Sequence, residues 1–218
     1  MRVVLEIGPK GRKVVAGALD WPGLDRSGPS EAAALDRIAS YVPRYATIAE
    51  RAGLSGDLAQ AGELEVVERV PGSSSTDFWG IAHVPSRTEA QGLTAAELER
   101  RLVLLQVCWA YFEGVAAGVT GELRLGPRGG GRPRDVIVGH VHVSEQHLWW
   151  PKVEVRRAKD RLYDPAAVRA DRQAYLDGIR AYHAAGRTAR TWPLAFLVRR
   201  TAQHALDHAW EIEDRDPG

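Results

Sequence analysis

Long segments with apolar residues at helical spacing dominate the chain after residue 93, and they restrict it to folds with several packed helices. Thr94 is followed by Glu97 three residues later, the capping-box pattern that begins a helix. An apolar stripe then repeats at i+3 and i+4 spacing through Leu98, Leu102, Leu105, Trp109, Phe112 and Ala116. This pattern predicts a long helix that buries one face.

Three more helices are predicted in the same region. The second opens with Pro133 in its first turn and Asp135 near its positive end. The third runs from Pro165 to about Ala185, and the fourth from Thr191-Trp192-Pro193 to about Glu213. Four helices of this length predict a four-helix bundle over residues 94–214.

The segment Asp135–Val143 supports two interpretations. It is rich in β-branched residues and loosely alternating, so propensity favours a strand. Helical spacing instead places Ile137, His140 and Ser144 on one stripe. The local pattern leaves the choice about even.

The first 72 residues predict a small ββαβ unit. Arg2–Ile7 and Lys13–Leu19 are alternating runs joined by a glycine-containing turn, which indicates a hairpin. Ser30 is a candidate N-cap for a helix that should stop or kink at Pro43. Glu63–Val70 is a third candidate strand. With residues 73–93 as a linker before the bundle, the predicted fold class is α+β.

Composition narrows the function classes. Lys and Arg total 29 against 28 Asp and Glu, a formal charge of +1, whereas nucleic-acid binding needs a concentrated basic surface. The nearest approach is a short basic loop with Arg124, Arg128, Arg132 and Arg134. The single Cys108 lies in an apolar run and is expected to be buried. No signal peptide or 18-residue apolar run is present, so we expect a cytoplasmic protein without membrane or nucleic-acid partners.

The pattern with the most chemistry is His204-Ala205-Leu206-Asp207-His208 on the fourth predicted helix. Side chains at i and i+4 lie one above the other on a helix, so two imidazoles at this spacing can share one metal ion. Leu197 and Thr201 extend the same stripe and indicate that it faces the bundle interior. An HxxxH pair alone is a weak signal in a chain with seven histidines.

A third imidazole is available on the second predicted helix. His140 is our first candidate, and His147, seven residues later on the same predicted face, is the alternative. Three imidazoles without a thiolate suit Zn²⁺, Ni²⁺ or Fe²⁺ and not Mg²⁺ or Ca²⁺. Three protein ligands also leave a coordination position for water or substrate.

Asp135–His140, with Glu145 five residues later, and Arg199–His208 together resemble the DinB/YfiT-like superfamily. The resemblance covers roughly residues 94–214, and it favours a helix at Asp135–Val143. It implies a DinB-like four-helix bundle in which His140, His204 and His208 bind a divalent metal ion. The preceding ββαβ unit is not part of the usual bundle and is similar to small HicB-like modules.

The resemblance implies a metal-dependent enzyme, with Zn²⁺ or Ni²⁺ as the expected ion. Some members are S-transferases or an isomerase that use low-molecular-weight thiols, so a thiol or another small molecule is the expected substrate or partner. A metal-assisted hydrolase has the same ligand requirement. The alternative is a non-catalytic, metal-stabilised scaffold or dimerisation module. A homodimer is a further expectation, although such dimers leave no periodic signature in a sequence.

Other residues near the predicted site have ordinary alternatives. Glu145 and Glu211 are candidates to orient the imidazoles, whereas Asp207 is expected on a solvated face. Arg199 and Arg200 would suit an anionic substrate group, but surface positions are the simpler expectation. Trp149 and Trp150 are expected in the core, or at a pocket mouth. His142, His83 and His183 are not expected to be ligands.

Overall fold

The fold is mixed α+β, as predicted. A computed structural model describes residues 1–126, 130–156 and 164–218, and those residues form four strands and eight α-helices. The strands form one sheet in the order β3-β2-β1-β4. Their bounds are Arg2–Ile7 for β1, Val14–Ala18 for β2, Asp25–Gly28 for β3 and Glu65–Pro71 for β4.

The predicted hairpin is confirmed. β1 and β2 pair antiparallel, and Gly8 N–H donates to the Lys13 carbonyl at 3.0 Å to close the turn. Gly11 adopts φ +61°, in the left-handed region that favours glycine. β4 then pairs parallel with β1 on the other side, so the sheet places its hairpin at the centre.

The structure contains one strand that the predicted ββαβ unit did not include. β3 follows the hairpin and pairs antiparallel with β2, which makes the order of elements βββαβ. Its sequence, Asp-Arg-Ser-Gly, contains no β-branched or aromatic residue and therefore carries no strand signal. Asp25 and Arg26 are nevertheless buried, at 3% and 8% exposure, and this polar strand becomes important below.

The helix after Ser30 does not end at Pro43. α1 is one helix over Glu31–Arg51 with Pro43 inside it. Pro43 and Ala39 are both exposed, so water can satisfy the carbonyl that the proline leaves without a donor. Beyond the proline, Tyr45 and Ile48 are fully buried and hold the second half of the helix against the core.

Three short helices lie between α1 and the later long helices, two of them within the predicted linker 73–93. They are α2 (Ser55–Ala59), α3 (Ser74–Trp79) and α4 (Arg87–Ala90). Buried Glu6 of β1 accepts hydrogen bonds from the backbone N–H groups of His83 and Val84 and from the Thr76 hydroxyl. These contacts fix the linker segment between the sheet and the later helices.

The four helices predicted after residue 93 are present. They are α5 (Ala95–Gly118), α6 (Arg134–Ser144), α7 (Pro165–Ala184) and α8 (Leu194–Arg215). The capping box at Thr94 is confirmed, and the segment with two interpretations is helical. α6 continues directly into a π-helical turn, Glu145–Trp149, and a 3₁₀ turn, Trp150–Val153.

α8 is the central element of the molecule. It packs on α5, α6 and α4, and one apolar cluster joins its core face to the sheet and to α1. Cys108 on α5 is fully buried in that cluster, as expected. Within the described ranges, no helix combines the length and apolar character needed to cross a bilayer.

Candidate metal centre

The structure brings together the three histidines that the sequence analysis selected. His204 and His208 lie one turn apart on α8, and their ring centroids are 4.7 Å apart. α6 packs against this face and places the His140 ring 5.1 Å from His204 and 4.9 Å from His208. We call these residues the histidine cluster.

The nitrogens of the cluster converge as metal ligands would. One ring nitrogen from each residue lies within 4.8 Å of the other two, and the Nε2 atoms of His140 and His204 are 3.2 Å apart. In a tetrahedral zinc site with Zn–N distances of about 2.0–2.1 Å, neighbouring nitrogens lie about 3.3 Å apart. The closest pair therefore already has ligand spacing, and the third nitrogen lies within 4.8 Å of both.

The environment keeps the facing imidazoles neutral, which metal binding requires. Burial lowers the pKa of His140 to about 4, with the nearby His208 and Arg132 adding to the shift. Burial also holds the pKa of His204 well below its usual value, again with contributions from the neighbouring histidines. Two neutral imidazole rings thus face each other. A metal cation between their nitrogens is favoured over further protonation of either ring.

Glu211 orients the third ring. Its carboxylate accepts a hydrogen bond from His208 Nδ1–H at 2.8 Å, which leaves the Nε2 lone pair for the cluster. That hydrogen bond is the main cause of the lowered pKa of Glu211. Arg215 donates to the same carboxylate at 3.2 Å, and Arg132 lies 3.6 Å from it. Glu211 is therefore held as an anion beside the cluster.

We expect Glu211→Gln to weaken Zn²⁺ affinity by about 10–100-fold, the usual effect of losing a carboxylate that orients a ligand imidazole. The affinity is measured by competition with a chromophoric chelator. Glu50→Gln, on the exposed face of α1, is the control and should bind as the unaltered protein does. Equal affinity in both variants would show that the contact with His208 does not support metal binding.

His147 lies away from the cluster, so it is not the alternative third ligand. An α-helix would place it on the face of His140, but it lies within the π turn Glu145–Trp149, whose wider winding moves it off that face. His147 is consequently exposed. Apolar spacing and helix propensity do not predict where α-helical hydrogen bonds change to π-helical ones.

The cluster is open to solvent on one side. An open depression borders it, formed by His140 with Asp135, Val136, Gly139 and Val143 of α6. On the other side the Trp149 ring lies 6.1 Å from the His204 ring. Trp149 and Trp150 are both buried, so the expectation of core tryptophans is confirmed, and Trp149 also forms one wall of the cluster.

Several other expectations were wrong. Arg199 and Arg200 are not surface residues, since they are 1% and 3% exposed. Glu145 does not contact His140: it is buried and accepts two hydrogen bonds, each 3.0 Å, from Arg172. The sequence pattern gave no indication of either arrangement, because both depend on partners far away along the chain.

The remaining polar residues lie largely as expected. Asp207 is exposed, although it forms an ion pair with Arg26 at 2.8 Å. His183 Nε2–H donates a hydrogen bond to the Leu93 carbonyl, 2.7 Å away, at the end of α7. In the basic loop, Arg124 and Arg134 donate to backbone carbonyls, and Arg128 lies outside the described residues.

Comparison of the chain with protein-family models, with curated proteins and with solved structures found no match. The assignment of function therefore rests on the residues of the site themselves. These are three convergent imidazoles, a carboxylate that orients one of them, and a depression open to solvent beside His140.

Proposed function

We propose that His140, His204 and His208 bind one divalent ion, Zn²⁺ or Ni²⁺, and that the protein is a metal-dependent enzyme. The observation that carries the proposal is the convergence of three imidazole nitrogens within 4.8 Å, contributed by two helices distant in the sequence. Three nitrogen donors and no thiolate suit these ions.

An enzyme is favoured over a scaffold because the described residues supply three ligands and leave two of them partly exposed. Three protein ligands leave at least one position for an exchangeable ligand, whereas structural zinc sites are closed by four. His140 and His204 are each partly exposed, and an open depression borders His140. A divalent ion held there lowers the pKa of a thiol or water that reaches it, which supplies a nucleophile at neutral pH.

Within this proposal, the chain's own residues position the nucleophile and its partner. Glu211 fixes the ring orientation of His208, and Trp149 limits water on the His204 side. The apolar side chains Val136 and Val143 line the approach beside His140. Apolar walls suit a substrate with an organic carbon skeleton better than they suit a highly charged substrate.

The reaction class that we propose is transfer or isomerisation dependent on a low-molecular-weight thiol, as the resemblance to the DinB-like superfamily implies. The metal ligands support this assignment, because the pattern Arg199–His208 and the position of His140 on an earlier helix carry the resemblance. A DinB-like bundle, in turn, is our proposal for the arrangement of α5 to α8.

The proposal is tested by the metal content of the purified protein, measured by mass spectrometry after reconstitution with Zn²⁺ or Ni²⁺. We expect about one equivalent per chain, and none in a His204→Ala/His208→Ala double variant, because one remaining imidazole cannot hold the ion. A His147→Ala/His183→Ala variant, which removes two histidines outside the cluster, should retain the metal.

The second stage separates an enzyme from a scaffold. A thiol added to the Co²⁺-substituted protein should change the visible spectrum, because it enters the open position. Thiol-transfer reactions are then screened with the loaded protein. Metal in neither protein would refute the site. Metal that is bound but inert to every added ligand would refute the enzyme and leave a metal-stabilised scaffold.

A further inference from the structure

A pocket of about 360 Å³ lies between the sheet, α1 and the side of α8 that faces away from α6. Its α8 wall includes Gln203, Asp207 and Trp210, about a quarter-turn around the helix from the histidine cluster. Val15 and Ala82 form an apolar floor, and the largely exposed Trp79 stands at the rim. The volume is within the range of small-molecule sites.

Arg26 is the principal polar group of this pocket. Its side chain is 8% exposed, and its guanidinium lies between two rings, 3.9 Å from the centroid of Tyr41 and 4.2 Å from that of Trp210. Nη1 donates to Asp207 at 2.8 Å. The stacking and the ion pair together fix the orientation of the guanidinium.

The other edge of this guanidinium has no protein partner. Nε and Nη2 of Arg26 are buried without a hydrogen bond among the described residues. These two nitrogens form the edge of an arginine that binds a carboxylate through two parallel hydrogen bonds. Buried donors without a hydrogen-bond partner are costly, so the unpaired edge of this pocket-lining arginine indicates a missing acceptor.

The charges around the pocket favour an anion. Its carboxylates are already paired: Asp207 with Arg26, Asp214 with Arg44, Glu211 with His208 and Arg215, and Asp25 Oδ2 with Arg199. Arg37, which also lines the pocket, forms no ion pair within the described parts of the chain. The unmatched groups are therefore cationic.

One unpaired hydrogen-bond acceptor further defines which ligand fits the pocket. Asp25 Oδ1 is buried without a hydrogen-bond partner in the described residues, and Asp25 lines the same pocket. A ligand hydroxyl or amine can donate to this oxygen.

We propose that this pocket binds a small organic acid, with its carboxylate on the Nε–Nη2 edge of Arg26. The free edge of Arg26 has two donors, which match the two oxygens of a carboxylate, whereas a phosphate dianion would leave a third oxygen without a donor at Arg26. The aromatic and apolar walls formed by Trp79, Val15 and Ala82 accommodate the carbon skeleton. None of these groups is a metal ligand, so the inference stands independently of the proposed function.

The test is a titration of the ¹⁵N-labelled full chain with lactate and with benzoate, followed by NMR at the arginine Nε–H resonances. The Arg26 resonance is identified by its absence from the spectrum of Arg26→Lys. We expect it to shift saturably with at least one carboxylate, and not with the uncharged amides lactamide and benzamide. Inorganic phosphate should not compete.

Arg26→Lys keeps the charge but lacks the two-donor edge, so we expect its affinity for the carboxylate to fall by at least about tenfold. Arg69→Lys, which alters an exposed ion pair with Glu31, should bind as the unaltered protein does. The saturable shift itself is measured on the unaltered protein, and only the assignment of the resonance uses the Arg26→Lys variant. No saturable shift at millimolar carboxylate, equal shifts with the amides, or a preference for phosphate would each overturn the proposal.

Discussion

Replacement of Arg199 by alanine should destabilise the protein by about 3–5 kcal/mol, the usual cost of removing one partner from a buried ion pair. Arg199 is 1% exposed and lies on α8. It donates to Asp25 of β3 at 2.5 Å and to Glu89 of α4 at 2.8 Å. Both carboxylates are nearly inaccessible to water, so the substitution leaves two buried anions without their main counter-charge.

The free energy of unfolding is measured by urea denaturation followed by far-ultraviolet circular dichroism. Arg180→Ala is the matched control, because Arg180 forms an ion pair with Glu99 at 2.8 Å on an exposed helix face. Exposed pairs contribute about 0–1 kcal/mol, so the control should lose little. Similar losses in the two variants would contradict the view that Arg199 joins the sheet to α8 through buried charge.

This buried ion pair also shows what the sequence did not reveal. Arg199 next to Arg200 in an amphipathic helix is typical of a solvated face, and that expectation was wrong. The partners Asp25 and Glu89 are 174 and 110 residues away along the chain. Pairing over such separations has no local pattern, and neither does the strand β3 that supplies Asp25.

Features encoded over a few neighbouring residues were predicted well. The hairpin β1–β2 follows from alternation around a glycine turn, and α5 begins at Thr94 because its capping box is local. The predicted stop or kink at Pro43 was also a local inference, and the helix continues past the proline to Arg51. Packing of Tyr45 and Ile48 carries that helix past Pro43, and burial is a property of the tertiary structure.

The candidate site lies between these two cases. The spacing of His204 and His208 is local, and it predicted that the two rings lie together. The choice of His140 over His147 depended on the resemblance, because both share a face in a regular helix. The π turn Glu145–Trp149 contains His147 and leaves it exposed, and helix propensity does not predict such a turn.

Metal binding should stabilise the folded protein strongly, because only the folded chain brings His140 to the α8 pair. An ion present at 1,000 times its Kd stabilises by about 4 kcal/mol. For a chain of this size each kcal/mol raises the Tm by about 2–4 °C, so saturation with Zn²⁺ should raise it by about 8–16 °C. Chelation should reverse the change. The measurement is differential scanning calorimetry of the same sample before and after chelation.

Two single variants decide which helix positions form the site. His140→Ala removes the only cluster residue on α6, so we expect it to lose most of the Zn²⁺-dependent increase in Tm while still folding without metal. His147→Ala removes an exposed imidazole seven residues away and should keep the full increase. Zinc that raised the Tm equally in both variants would bind elsewhere. Because α6 packs on α8 through this cluster, loss of the increase in His140→Ala alone would show that the ion links the two helices.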